Sequence, residues 1–202
     1  MASKTEICNL ALSHLSVEKE ISNIDTDRGS EAAVCRRYFE ISRDDTMRDF
    51  DWPFASKILA LALIEEGPND EWDFSYQYPS DCMRLRRILS GIRNDSRQTR
   101  VPYKLASSGT STIVYTDKED AEVEYTVKIT DSSLFPADFI LALSYKLAMY
   151  IAPRITGGDP FKLAARAERL YIDQIGKAKD NAVNEQQDEE PVESEFVRSR
   201  EV

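Results

Sequence analysis

Few residues in this chain are placed to do chemistry. It has one histidine, His14, and three widely spaced cysteines, Cys8, Cys35 and Cys82. Histidine catalysis needs a nucleophile within reach and a third group to orient the ring. No Ser or Cys here sits in a recognisable nucleophile motif, and no GxSxG, Walker loop, GxGxxG or HExxH occurs. His14 falls on the apolar stripe of the first helix and reads as a core or interface residue. A single histidine with scattered cysteines makes no zinc set, and an odd, dispersed cysteine count points to buried thiols rather than a disulfide framework. Gly157-Gly158 precedes a helix start and could cradle an anion, but Asp159 would repel phosphate, and Asp159-Pro160 is ordinary capping. No catalytic residue, metal ligand or cofactor is therefore assigned. Glycoside hydrolysis needs only two carboxylates at the right separation, so a carboxylate-dependent glycoside hydrolase stays as the one enzyme alternative, toward which Asp81, Glu65 and Glu66 carry almost no information. With 36 acidic residues in the chain, such pairs arise by chance.

The formal net charge of −10 opposes tight binding to nucleic acid, which draws its free energy from clustered cations. A local basic stretch, Arg84, Arg86, Arg87, Arg93, Arg97 and Arg100, reads as a solvated strand face or an interface patch. No window approaches 18 uninterrupted apolar residues and no apolar leader follows Lys4, so a soluble, intracellular chain with no membrane partner is expected. Asn94-Asp95-Ser96 matches a glycosylation sequon, without consequence in that setting.

Four helices must position whatever function exists, over about 4–16, 30–50, 136–153 and 160–183. Ser3-Lys4-Thr5-Glu6 fits a capping box, and Ile7, Leu10, Ala11, His14 and Leu15 follow at helical spacing. In the second helix Val34, Cys35, Tyr38, Phe39, Met47 and Phe50 mark the apolar stripe, with Arg36, Arg37, Arg43, Asp44 and Asp45 expected mostly on the opposite face, and Pro53 ending the run. Phe139 to Ile151 is apolar nearly all round, the mark of a central or interface helix. Leu163, Ala167, Leu170, Tyr171, Gln174, Ile175 and Ala178 share a face of the last helix.

Between the second and third helices lies a β region, about 56–130. Leu59, Leu61 and Leu63 alternate with alanines, Gly67-Pro68-Asn69-Asp70 reads as a turn, and strands are expected at Cys82–Leu89, Val101–Leu105, Ile113–Tyr115 and Val123–Ile129. In the last of these Val123, Tyr125, Val127 and Ile129 should face a core and Glu124, Thr126 and Lys128 water. The fold class is α+β: a helical bundle built from N- and C-terminal helices with an inserted small antiparallel β-sheet. Residues 1–183 make this domain. Residues 184–202 form a flexible acidic tail tipped by Phe196, Val197, Arg198, Ser199 and Arg200, able to order on a partner.

The most distinctive stretch runs from Trp52 to Arg84. Trp52-Pro53-Phe54-Ala55-Ser56-Lys57 and Tyr76-Gln77-Tyr78-Pro79-Ser80-Asp81-Cys82-Met83-Arg84 have the composition of an aromatic junction between elements. They also resemble the head-to-tail adaptor proteins of short-tailed phages, the tail tubular protein A group. Glu6 to Leu15 looks like that family's opening helix, where a residue like Gly often follows and Ser16 stands here. Glu31-Ala32-Ala33-Val34-Cys35 with Tyr38 and Arg43 looks like its second helix, and Leu134-Phe135-Pro136, Leu143 to Ile151 and Ile155-Thr156-Gly157 like its third and that helix's end. The likeness spans residues 5 to about 180.

The resemblance implies a non-enzymatic virion protein that binds the portal as a dodecameric ring, extends the DNA channel and carries the tail nozzle or other tail proteins. It implies passage of double-stranded DNA without specific binding, assembly in the host cytoplasm, and residence in the virion tail. Trp52, Phe54, Tyr76, Tyr78, Pro79 and Asp81 would be its structural signature. Phe196, Val197, Arg198 and Arg200 would order against the portal. Read with this likeness, the hydrolase alternative becomes a carboxylate-dependent cell-wall glycoside hydrolase acting in phage entry.

Overall fold

The computed structural model describes residues 2–92, 99–109, 111–156 and 159–185. Helix α1, Lys4–His14, starts as expected: Ser3 Oγ accepts from Glu6 N–H at 3.2 Å and Glu6 Oε2 accepts from Ser3 N–H at 2.6 Å. It stops short of the expected 16 because the chain reverses at Ser16, whose φ of 57° is left-handed. Asn9 then folds the next loop back onto α1 by accepting from Ile21 N–H and donating to Ile21 O, at 2.8 and 2.9 Å.

Helix α2 is Ser30–Asp49, α3 Ala137–Ile155 and α4 Pro160–Glu185. All three lie where the apolar periodicity put them. Along α3, Phe139, Ala142, Leu143, Leu147, Ala148, Ile151 and Ala152 are all fully buried, because α1, α2 and α4 all pack against it. On α4, Ala167, Tyr171, Gln174, Ile175 and Ala178 form the buried face, with Leu163 and Leu170 at its border. Cys8 and Cys35 lie in the same core, whereas Cys82 is only half-buried, not the buried thiol expected. Arg43 departs further from expectation. It is 1% exposed, on the core side of α2, with Nε and Nη2 donating to Asp44 Oδ1 at 2.8 and 2.7 Å.

The β region holds seven strands: β1 Ser56–Ala60, β2 Leu63–Asn69, β3 Trp72–Gln77, β4 Cys82–Ile88, β5 Lys104–Ser108, β6 Ser111–Thr116 and β7 Glu122–Val127. They form two antiparallel sheets, β1-β7-β4 and β2-β3-β6-β5, where one small sheet was expected. With four helices and two antiparallel sheets the chain is α+β.

The alternating leucines are not one strand. Leu61 and Ala62 carry the chain from one sheet to the other, with Leu61 N–H donating to Ala121 O at 2.8 Å and Gln77 N–H to Ala62 O at 2.9 Å. Gly67, at φ 60°, sits in an irregular stretch of β2, and the turn comes later, where Asn69 Oδ1 accepts from the N–H groups of Glu71 and Trp72. Pro102 has no N–H to offer a ladder, so the strand expected at Val101–Leu105 begins instead at Lys104. Strand β3 lies within the aromatic segment, whose composition marks a junction and hides its alternation.

Leu61, Tyr76, Leu85, Ile88, Val114, Ala121, Val123 and Tyr125 make a second apolar core, to which both sheets contribute. Val123 and Tyr125 face inward as expected. Thr126 does not face water; it is buried on the other side of β7.

Ser16 is a non-glycine residue in the left-handed region, a conformation that strains an L side chain by about 1–2 kcal/mol. Glycine relieves that strain and loses up to about 1 kcal/mol through the greater freedom of its unfolded chain. Ser16→Gly is therefore expected to stabilise the fold by about 0.5–1 kcal/mol in denaturant titration. A loss of stability would refute the strain argument.

Candidate functional site

The signature residues divide between the two cores, and the joint between them is the candidate site. Trp52 leaves the end of α2 and is 2% exposed, its Nε1 donating to Thr46 O at 2.8 Å. Its ring meets Phe50 and Phe139 edge-on at centroid distances of 5.1 and 5.0 Å. A short 3-10 turn, Pro53–Ala55, then brings Phe54 against Phe135 and Phe139, at 6.1 and 5.1 Å. Proline at the start of that turn costs no hydrogen bond, because the N–H it lacks would be unpaired there anyway. This half of the signature anchors the end of α2 to the start of α3.

Tyr76 and Tyr78 belong to the other core. Tyr76 is buried and donates through its hydroxyl to Lys118 O at 2.9 Å. The Tyr78 hydroxyl lies 3.0 Å from Cys82 Sγ across the bend that holds Pro79, and Pro79 O accepts from Cys82 N–H at 3.1 Å. Burial, then Cys82, pushes the Tyr78 hydroxyl above its ordinary range. Asp81 closes the bend onto the three-stranded sheet. Its Oδ2 takes Lys57 Nζ at 2.7 Å, its Oδ1 accepts from Tyr125 O–H at 2.8 Å, and its carbonyl accepts from Lys128 N–H at 3.0 Å. The hydrogen bond from Lys57, with that from Tyr125, holds the Asp81 carboxyl below the usual carboxylate range.

Arg86, on β4, joins the two halves. Its guanidinium donates to Trp52 O at 2.7 Å and to Thr126 Oγ1 at 3.0 Å, and it lies 3.2 Å from Asp51 Oδ1 and 3.5 Å from Glu124 Oε1. The side chain is 10% exposed, and burial lowers its pKa, against the pull of Asp51 and Glu124. Arg84 pairs with Asp51 and donates to Arg48 O, while Arg87 reaches Glu124 at 2.8 Å. Glu124 also accepts from Ser56 Oγ at 2.9 Å. Burial would raise its pKa, but Arg87 and Ser56 outweigh that and hold it down. So part of the basic stretch is a structural clamp; Arg100 is exposed, and Arg93 and Arg97 lie outside the described residues. The sequence did not mark Arg86 out, because its partners are 34 to 40 residues distant.

The carboxylates of α2 complete the joint. Asp44 binds Lys128 at 2.7 Å, Asp45 accepts from Tyr150 O–H, and Asp49 takes Lys146 at 3.0 Å and Tyr171 O–H at 2.6 Å. One acidic face thus ties α2 to the sheet, to α3 and to α4. Tyr150 is pushed up to about 12, by its bond to Asp45 and then by burial. Tyr171 is raised too, by burial and then Asp49.

His14, half-buried, stacks on Tyr145 at 4.3 Å with Nε2 3.0 Å from Ser144 Oγ, linking α1 to α3. Burial, then Arg166, lowers its pKa. Glu65 and Glu66 are exposed on β2, and Asp81, held ionised, lacks the raised pKa of a general acid. Among the described residues, no three or more His, Cys, Asp or Glu side chains group as metal ligands, and no helix is long and apolar enough to cross a membrane. A surface depression of about 270 Å³ is lined by Leu89, Gly91, Lys118, Glu119, Asp120 and Glu122, none of them a signature residue. Gly157, Gly158, Phe196, Val197, Arg198 and Arg200 lie outside the described residues. No family model matches the chain, and no curated protein matches it.

Two outcomes test the joint. Arg86→Met leaves the Trp52 carbonyl, Asp51 and Glu124 without their shared cation, and is expected to cost about 2–4 kcal/mol in denaturant unfolding. An unchanged midpoint would mean that the clamp is idle. The tyrosines give a pH signature. Their folded pKa lies above the unfolded value of about 10, so their contribution is complete below pH 10 and is lost as pH rises through the folded value. Stability should therefore fall above about pH 10 in the parent and fall less steeply in Tyr150→Phe/Tyr171→Phe; equal slopes would refute the assignment.

Proposed function

We propose that this chain is a structural virion protein, a head-to-tail adaptor that binds the portal as a ring, extends the DNA channel and presents the platform for the tail nozzle. The order of family-like motifs over residues 5 to about 180 supports the reading. The observation that carries it is the engagement of the signature itself. Trp52, Tyr76 and Asp81 each direct a polar group to another part of the fold, Tyr78 is tied to Cys82, and Phe54 packs between α2 and α3. Those contacts commit each of these side chains to holding the corner together.

In this reading the helices from both ends of the sequence act as a bundle that meets its neighbours around a closed ring, with the β region inserted as an accessory layer. The net charge of −10 suits a channel wall, because DNA slides past carboxylates that cannot displace its counterions. Phe196, Val197, Arg198 and Arg200 order against the portal during assembly in the host cytoplasm, after which the ring stays in the virion tail. The carboxylate hydrolase gains no support, since Asp81 is ion-paired and Glu65 and Glu66 are neighbours on one strand.

Mixing the purified full chain with portal particles tests this directly. Sedimentation should show co-migration, and electron microscopy should show added ring density beneath the portal. Phe196→Ala/Arg198→Ala should weaken that binding while leaving the helical circular dichroism intact. Portal particles that stay bare with the parent chain would refute the proposal.

A further inference from the structure

The four-stranded sheet carries a row of apolar side chains from one open side to the other. Leu63 on β2 is opposite Tyr76 on β3, Tyr76 is opposite Val114 on β6, and Val114 is opposite Leu105 on β5. The middle of the row is dry, with Tyr76 2% and Val114 0% exposed, whereas Leu63 at its start is 49% exposed and Leu105 at its end 45%. Ile64 beside it is 54% exposed. Among the described residues no strand covers the outer side of β2 or of β5. Such apolar edges are templates for another strand.

Strand direction and charge identify that strand. The order β2-β3-β6-β5 is antiparallel throughout and has an even number of strands, so its two outer strands run in opposite directions. A second copy set beside the first by simple rotation therefore offers its β2 to the first copy's β5 as an antiparallel partner, and the sheet continues without reversal. The three-stranded sheet cannot do this, because its outer strands run the same way. Pairing β2 antiparallel with another β2 about its Glu65-Glu66 pair would bring the glutamates of the two copies together, which is destabilising. With Leu105 opposite Leu63 of the neighbour, the row Glu65, Ser75, Tyr115 and Lys104 on the other face continues from Lys104 to Glu65 of the neighbour across the irregularity at Ile64, so opposite charges meet. Lys104 Nζ lies 3.5 Å from Glu71 in an exposed pair that leaves it free to turn to a new partner. Pro68, which has no N–H, limits the pairable length of β2 to its first half.

We infer that a second copy of this chain docks its β2 onto β5, continuing the sheet head to tail through Leu105 and Leu63. The contact is heterologous, so it propagates into a ring or a filament. It deepens the ring-subunit reading and rests on it only for closure; the pairing rests on the sheet. The test is Leu63→Cys/Leu105→Cys in the full chain, concentrated and treated with a short thiol cross-linker, with the parent and each single variant as controls. A ladder of dimers, trimers and higher species from the double variant alone is expected. Dimers from Leu63→Cys alone would show the two-fold arrangement and overturn the inference, as would a double variant that yields no ladder. Exposed charges give a measure that does not burden folding. Lys104→Glu should weaken self-association several-fold in sedimentation, and adding Glu65→Lys should restore it; failure of the pair to compensate counts against the register. The two readings separate cleanly: portal rings dressed with copies that do not cross-link 63 to 105 would sink this inference alone, and copies that ladder but leave portals bare would sink the portal reading alone.

Discussion

Water must be kept from nearly every side of α3, and the rest of the chain is arranged to do so. A helix whose Phe139, Leu143, Leu147, Ala148 and Ile151 are all fully buried cannot be satisfied by one neighbour. Helix α1 from the N-terminal end, α2 and α4 from the C-terminal end must all pack against it. That requirement brings distant parts of the sequence together, while the β region gathers an apolar core of its own.

Close packing around α3 would leave α2 free to slide or rotate, and polar pairs restrict that freedom. Asp44, Asp45 and Asp49 reach three different neighbours from one stretch of helix, so a register shift in α2 would break several bonds together. The phenols of Tyr150 and Tyr171 suit this use, since each remains a donor far above neutral pH. Not every buried polar group of α2 is matched: among the described residues Ser42 Oγ and Arg43 Nη1 are buried with no hydrogen-bond partner.

The helices could be read from the sequence because apolar spacing and the Ser3 and Glu6 cap are local signals. Their partners are not. The same carboxylates that look like solvated charges along α2 prove to be ties to α3, α4 and the sheet. In the β region the local signals compete: leucine and alanine at 59–63 alternate like a strand, yet Leu61 turns into the second core and divides the run between two sheets. The aromatic segment announced a junction through its composition, but β3 was hidden inside it. Arg86 was visible only as one cation in a basic stretch, because Trp52, Thr126 and Glu124 come to it through tertiary folding.

The two apolar clusters share no buried side chain, and much of what spans them is ionic: Arg84 and Arg86 to Asp51, Lys128 to Asp44. Hydrocarbon packing has no charge for salt to screen, whereas partly exposed ion pairs are screened within about 8–10 Å at ordinary ionic strength. The molecule therefore has a joint whose stiffness depends on its ionic surroundings, set between two bodies whose interiors do not. Amide exchange should separate the halves into two protection classes, with the seam between them opening first as salt is added.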